Sequence, residues 1–308
     1  MYYCVLILTI FVLTVVKGHP GVSPSGFPSH NDDLHKAVQT YITWGSTSGK
    51  PAADCNRFLS IFAYNRTWAS PFAGTQFFSY DVDKSCQQLN NNLSWHVASQ
   101  PAGNYLYPFY DRQVSSIWQV AFTWRAVGGA NEWSKVLTFK QYDFEIITTL
   151  WFQRYDNNVS YVFAAKDFFW PAAGDAFPDP LRAMVEKYAS FLGGDCSRWA
   201  ELFLTEVASI GVSNGTFYGP SQIKRYCSRM MSMWSSYVFT TRQMSYSVNP
   251  YTESVENVGF TWTRTGVREE RVCSEEVLTL LTVQPDDSPT RDLKISTAME
   301  YFQPSPVC

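Results

Sequence analysis

The chain has 308 residues, a formal net charge of −3, and 17% each of charged and aromatic residues. That length holds two ordinary domains with real cores. The near-neutral balance, with no basic stripe or arginine cluster, excludes a phosphate-tracking partner, so no nucleic acid is expected.

The first 18 residues, MYYCVLILTIFVLTVVKG, form an apolar run closing on Val16 and Gly18. They read as a secretory signal cleaved near His19, with an uncleaved anchor as the alternative because a basic flank is missing. The apolar core from Cys4 to Val16 has 13 residues, short of the roughly 20 that a bilayer span needs. The mature chain is therefore expected to be extracellular and free of the membrane. Four sequons agree with that route, at Asn65, Asn92, Asn158 and Asn214. Six cysteines remain beyond Cys4, an even number in a disulfide-permissive compartment.

Next comes an amphipathic helix carrying Leu34, Val38, Tyr41 and Ile42, with Asp32 placed to cap it. A second helix holds Phe58, Leu59 and Phe62, and a third, shorter one ends around Cys86. The pattern then turns to strands. "SIWQVAFTWR" alternates, "VGGAN" at 127–131 gives a hairpin signal, and "YDFEIITTLWF" at 142–152 reads as a final long strand. The aromatic stretch 157–178 reads as a linker whose "DFFW" portion packs down rather than hanging free.

From residue 179 the order starts again. "DCNRFLSIF" at 54–62 returns as "DCSRWAELF" at 195–203, and "KAVQTY" at 36–41 returns as "AMVEKY" at 183–188. "VAFTWR" at 120–125 meets "VGFTWT" at 258–263, and 142–152 aligns with "RDLKISTAMEYF" at 291–302. Each copy is long enough to own a core, so the repeat predicts tandem domains, 32–156 and 179–308, rather than a solenoid. Helices followed by antiparallel strands give an α+β fold. Cys55 and Cys86 stand 31 residues apart, as do Cys196 and Cys227. The repeated spacing predicts those two disulfides, each tying two helices, and leaves Cys273 to pair with Cys308.

This element order, with the Gly-Thr at 74–75 and 215–216 after an aromatic-rich turn, resembles the nuclear transport factor 2-like superfamily, specifically its SnoaL-like branch of polyketide cyclases and steroid isomerases. The resemblance covers roughly 32–156 and 179–304. It implies two cone-like domains, each with N-terminal helices packed on a strongly bent antiparallel sheet around an apolar pocket. It also implies a possible intrachain pairing of the domains in place of a homodimer. The carboxylate base of steroid-isomerase-like members falls on Ser70 of "SPFAG" and near Ser213 and Asn214 of "VSNG". An unactivated hydroxyl is a weak nucleophile, and that departure argues against the isomerase mechanism. Every mature histidine (His19, His30, His35, His96) lies in the first third, so a His–Asp mechanism shared by both copies is excluded.

Asp111 and Arg112 follow the aromatic run "YLYPFY". They read either as a charged pair at a pocket mouth, with Asp111 as a base, or as a solvent-facing strand start. His96 is a proton shuttle or a surface histidine, and Tyr110 completes the catalytic candidates. Tyr64, Trp68, Phe72, Tyr80, Tyr107 and Arg112 are the ligand-binding candidates, since aromatics give apolar walls with hydroxyl handles; the core competes for the same side chains. Glu276 and Arg242 are ambiguous between an inward and a solvated position. With no His-x-x-x-His or Cys-x-x-Cys pair and no strand–GxGxxG–helix unit, no metal and no cofactor is expected. The leading expectation is a secreted protein that binds a small hydrophobic or aromatic molecule. The alternatives are a cofactor-independent enzyme (isomerase, cyclase or oxygen-using oxidase) with its site in the first domain, and a glycosylated structural or interaction module.

Overall fold

The computed structural model describes residues 31–43, 55–70, 72, 74–76, 79–99, 109–110, 117–131, 140–154, 160–171, 179–205, 208–212, 215–233, 240–248, 255–268 and 270–303. The N-terminal half runs α1 (Asn31–Thr43), α2 (Cys55–Leu59), β1 (Phe62–Ser70), β2 (Gly74–Gln76), α3 (Ser79–Asn92), β3 (Leu93–Ser99), β4 (Phe109–Tyr110), β5 (Ile117–Ala130), β6 (Gln141–Arg154) and β7 (Ser160–Pro171). The C-terminal half runs α4 (Asp179–Leu192), α5 (Cys196–Ala200), β8 (Ser209–Val212), β9 (Gly215–Tyr218), α6 (Gly219–Met233), β10 (Thr240–Val248), β11 (Val255–Arg268), β12 (Arg271–Pro285) and β13 (Leu293–Gln303).

The two halves repeat one pairing scheme. A short strand behind the second helix runs parallel to the last strand, β1 on β7 and β8 on β13. The three long strands of each half are antiparallel neighbours: β5–β6–β7 and β11–β12–β13. Segment 160–171, read from sequence as linker, is thus strand β7. In register Thr148 faces Asp167 across β6–β7, and Thr279 faces Glu300 across β12–β13. β7 is therefore the counterpart of β13, and 142–152 lies in the counterpart of β12 rather than in a final strand.

The α+β layering holds, but the strongly bent sheets do not. Among the described residues all 13 strands join one open sheet that runs from β3 to β9, and β7 meets β10 at its centre through Phe169 and Tyr246. Bending a sheet into a cone takes bulges or glycine kinks that break the ladder. Here the two longest pairs are continuous, β5–β6 from Ile117↔Gln153 to Gly129↔Gln141 and β11–β12 from Asn257↔Thr282 to Arg268↔Arg271, and the register shifts fall on the pairs flanking them, β3–β5, β6–β7, β10–β11 and β12–β13.

Helices cover one face of each half. Val38, Tyr41, Phe58, Trp68 and Leu89 pack onto Phe122, Trp124, Ile146 and Leu150. Val185, Tyr188, Trp199 and Ile223 pack onto Phe260, Trp262, Val277 and Leu281. The other strand face feeds a third cluster drawn from both halves: Ala121, Ile147, Phe168, Leu278, Leu280 and Tyr301. Both repeated disulfides are present, Cys55–Cys86 and Cys196–Cys227. Cys273 is also disulfide-bonded, while Cys308 lies outside the described residues. Among the described residues no helix is long and apolar enough to cross a membrane.

Candidate functional site

A polar centre lies under α1 in the N-terminal half. The three-to-four spacing of α1 turns Tyr41 inward with Val38, and Tyr41 is fully buried. Alternation on β1 brings Trp68 and Ser70 to the same face, both buried. β6 supplies Thr148, and the β6–β7 register sets Asp167 directly opposite.

Two donor chains converge on one carboxylate oxygen. Tyr41 Oη donates to Asp167 Oδ1 at 2.9 Å and Thr148 Oγ1 donates to the same oxygen at 2.6 Å. Behind them, Trp68 Nε1 donates to Tyr41 Oη at 2.9 Å, and Trp124 Nε1 donates to Thr148 Oγ1 at 2.8 Å. An indole N–H can only donate. Each tryptophan therefore fills a lone pair of its hydroxyl and leaves that hydroxyl's own proton for Asp167. Burial pushes the Asp167 carboxyl up to about 6, against the opposing pull of hydrogen bonds from Thr148, Ser70, Tyr41 and Trp68. Burial, and then the same carboxylate, raise the Tyr41 phenol well above its ordinary value.

The C-terminal half repeats the layout with one change. Tyr188 Oη donates to Glu300 Oε1 at 2.6 Å, and Trp262 Nε1 donates to Thr279 Oγ1 at 2.9 Å. Here a second helix tyrosine, Tyr226, donates to Glu300 Oε2, also at 2.6 Å. Tyr226 precedes Cys227 just as Ser85 precedes Cys86. A serine in the first half thus stands where the second half clamps its carboxylate.

The sequence candidates scatter. His96 is buried, and its Nδ1 lies 2.6 Å from Tyr142 Oη. The register explains this contact: Gly128 of β5 pairs with His96 on one side and Tyr142 on the other, and without a side chain it lets them meet across it. Burial lowers the His96 imidazole to about 4, so it is neutral at physiological pH. Phe72 is buried edge-on to His96, with ring centroids 5.5 Å apart. Trp68 is buried in the centre itself. Tyr64 and Tyr80 are 84% and 72% exposed, facing solvent rather than any pocket. Tyr110 pairs with Trp118 through β4. Tyr107, Asp111, Arg112, Asn158 and Asn214, with the side chains of Asn65 and Tyr110, lie outside the described residues. Asn92 ends α3, where its side chain donates to Gln88 O at 2.6 Å. No group of three or more potential metal ligands occurs among the described residues.

Asp167 is not legible in the sequence, because its strand reads as linker there. The available signal was a lone carboxylate in the apolar run "YVFAAKDFFW". Tyr41 and Tyr188 were visible as the matching ends of two repeated helices, without any hint of a shared carboxylate partner.

No family model matches the chain, and no curated protein matches it. Among solved structures, the chain is similar to a hypothetical protein with a ketosteroid isomerase-like fold from Catenulispora acidiphila. The identity is 17% over 43% of this chain and 91% of the other, with a TM-score of 0.33. It is also similar to a hexachlorocyclohexane dehydrochlorinase from Novosphingobium barchaimii (14% identity, 49% and 96% covered, TM-score 0.34). A third is a protein of unknown function with a cystatin-like fold from Nostoc punctiforme (10% identity, 42% and 93% covered, TM-score 0.33). At such identity the likeness is one of fold alone.

Proposed function

We propose that the N-terminal half carries a cofactor-independent acid–base centre acting on a small hydrophobic or aromatic molecule, with Asp167 as the proton-exchanging group. The observation that carries this reading is the contrast between the two carboxylates. Asp167 takes both Tyr41 and Thr148 on one oxygen, with Ser70 and Trp68 also bonding the carboxyl and no second helix tyrosine, whereas Glu300 is held by a helix tyrosine on each oxygen. A carboxyl near 6 in an apolar site is poised to accept a proton and return it at neutral pH. Tyr41 and Thr148 steady it, and the neutral His96 with Tyr142 lines the same half. Trp68, bonded to Tyr41, walls the centre, so a substrate spends part of its binding energy displacing it. The C-terminal half serves as support, pairing within the chain as a second subunit would. The apolar start and the sequons support a secreted protein, whose mature product begins at His19; N-terminal sequencing of secreted material tests this.

Turnover of a panel of quinones, sterols and polyketides tests the reading. Asp167→Asn is expected to lower kcat by about 100-fold or more, while Glu300→Gln keeps it. Activity of the wild type should rise with pH through about 6 as the base ionises. Turnover that survives Asp167→Asn sinks the assignment. Binding without turnover would turn the reading back to a simple carrier.

A further inference from the structure

The C-terminal half has a groove that the acid–base centre does not use. It has a volume of about 610 Å³ and lies between α5, the first turns of α6 and the β12–β13 connection. That size falls within the ~300–1,000 Å³ of small-molecule sites. We infer that this groove binds a neutral, hydroxyl-rich ligand, a small oligosaccharide.

The charges of the groove support that choice. Two cations, Lys224 and Lys294, face two anions, Glu201 and Asp286, so the lining carries no surplus charge to select an ion. Two of the four charged groups are also anchored. Lys294 Nζ donates to the Glu201 carbonyl at 2.8 Å, which leaves further ammonium donors. Asp286 Oδ1 accepts from the Ser288 amide at 3.1 Å and from the Ser288 hydroxyl. The Ser288 hydroxyl, helped by the nearby Lys294 ammonium, holds the Asp286 carboxyl below the ordinary range. Ser197 and Ser221 add hydroxyls that donate and accept. A sugar hydroxyl likewise does both, and a charge-balanced array of donors and acceptors, with Lys294 and Asp286 held in place, matches it without requiring a counter-ion. The floor is apolar and held in place: Leu204 N donates to Ile295 O at 2.9 Å, and Phe203 bridges to Ile295. It offers a surface for the C–H faces of sugar rings.

The test uses the full mature chain produced without N-glycans. Maltotriose, cellotriose and chitotriose are titrated by calorimetry and saturation-transfer NMR, with glycine betaine and inorganic phosphate as charged comparisons. At least one trisaccharide should bind. Ser221→Trp, which fills the groove from an exposed helix position, should weaken it at least tenfold, and Lys224→Ala should weaken it less, both with unchanged Tm. The proposal is overturned if no trisaccharide binds, if binding ignores both variants, or if betaine or phosphate binds in the groove while the sugars do not.

Discussion

An aspartate in water ionises near 3.8, but burial moves Asp167 to about 6, so the folded state holds its proton over a pH range where the unfolded chain has lost it. A raised carboxyl contributes stability that is complete below the unfolded value and is lost as pH rises through the folded one. From 3.8 to about 6 this amounts to on the order of 3 kcal/mol. Asp167→Asn keeps an acceptor oxygen for Tyr41 and Thr148 but cannot titrate. Its stability relative to wild type should therefore improve by up to that amount between pH 4 and pH 7.5, as read from urea midpoints. A pH-independent gap between the two proteins would contradict this. His96 works in the opposite sense: lowered from 6.5 to about 4, it contributes stability above 6.5 that is lost as pH falls. The two windows overlap, so the wild-type curve alone does not separate them, and only the difference against Asp167→Asn does.

Among elements, the five-residue helices α2 and α5 are too short to persist unaided. Asp195 caps α5 by accepting from Ser197 N and Arg198 N, and the disulfides tie each short helix to a long neighbour, α2 to α3 and α5 to α6. Each closes 31 residues of chain, worth about 3.7 kcal/mol by loop entropy. Replacing Cys55 and Cys86 by serine, or Cys196 and Cys227, should each cost roughly that in guanidinium unfolding. A loss well under 1 kcal/mol in either pair would show that packing alone holds the short helix. The 31-residue spacing was legible because it occurs twice. β7 was not, because strands covered on both faces lose the alternation that marks a half-buried one. Val162, Ala165, Asp167 and Phe168 are all buried, and Phe168 belongs to the cluster opposite the helices. "VGGAN" misled for a related reason: Gly128 and Gly129 sit inside β5 between two neighbouring strands rather than at a turn.

For the whole molecule, the joining of the halves rests on the cluster away from the helices. Tyr301 Oη donates to Gln119 at 3.0 Å across the halves. Nearby, a Cβ on Gly259 would come within 2.9 Å of both Ile147 Cδ1 and Leu280 Cδ2. Gly259→Ala should therefore cost about 1–3 kcal/mol by overpacking. Ile147→Val removes the offending methyl, and combining the two should recover part of the loss, although Ile147→Val alone costs roughly 0.5–1.5 kcal/mol. The thermal stabilities of both singles and the double variant form a cycle. Simple additivity would mean that the halves do not press together at Gly259.

The sequence by itself determined the doubled element order, the α+β class, two disulfides and the helix faces, because periodicity and spacing are local properties that a repeat writes twice. Tertiary structure decided the rest. One open sheet in place of two bent ones follows from the continuous β5–β6 and β11–β12 registers and the β7–β10 junction, and register is a property of strand pairs. The carboxylate centres assemble from a helix and neighbouring strands, with Tyr41 and Asp167 126 residues apart and Tyr188 and Glu300 112 apart. No local pattern records such a meeting. Whether a buried acid is clamped by one helix or by two depends on what packs above it, and here that is the difference between Ser85 and Tyr226.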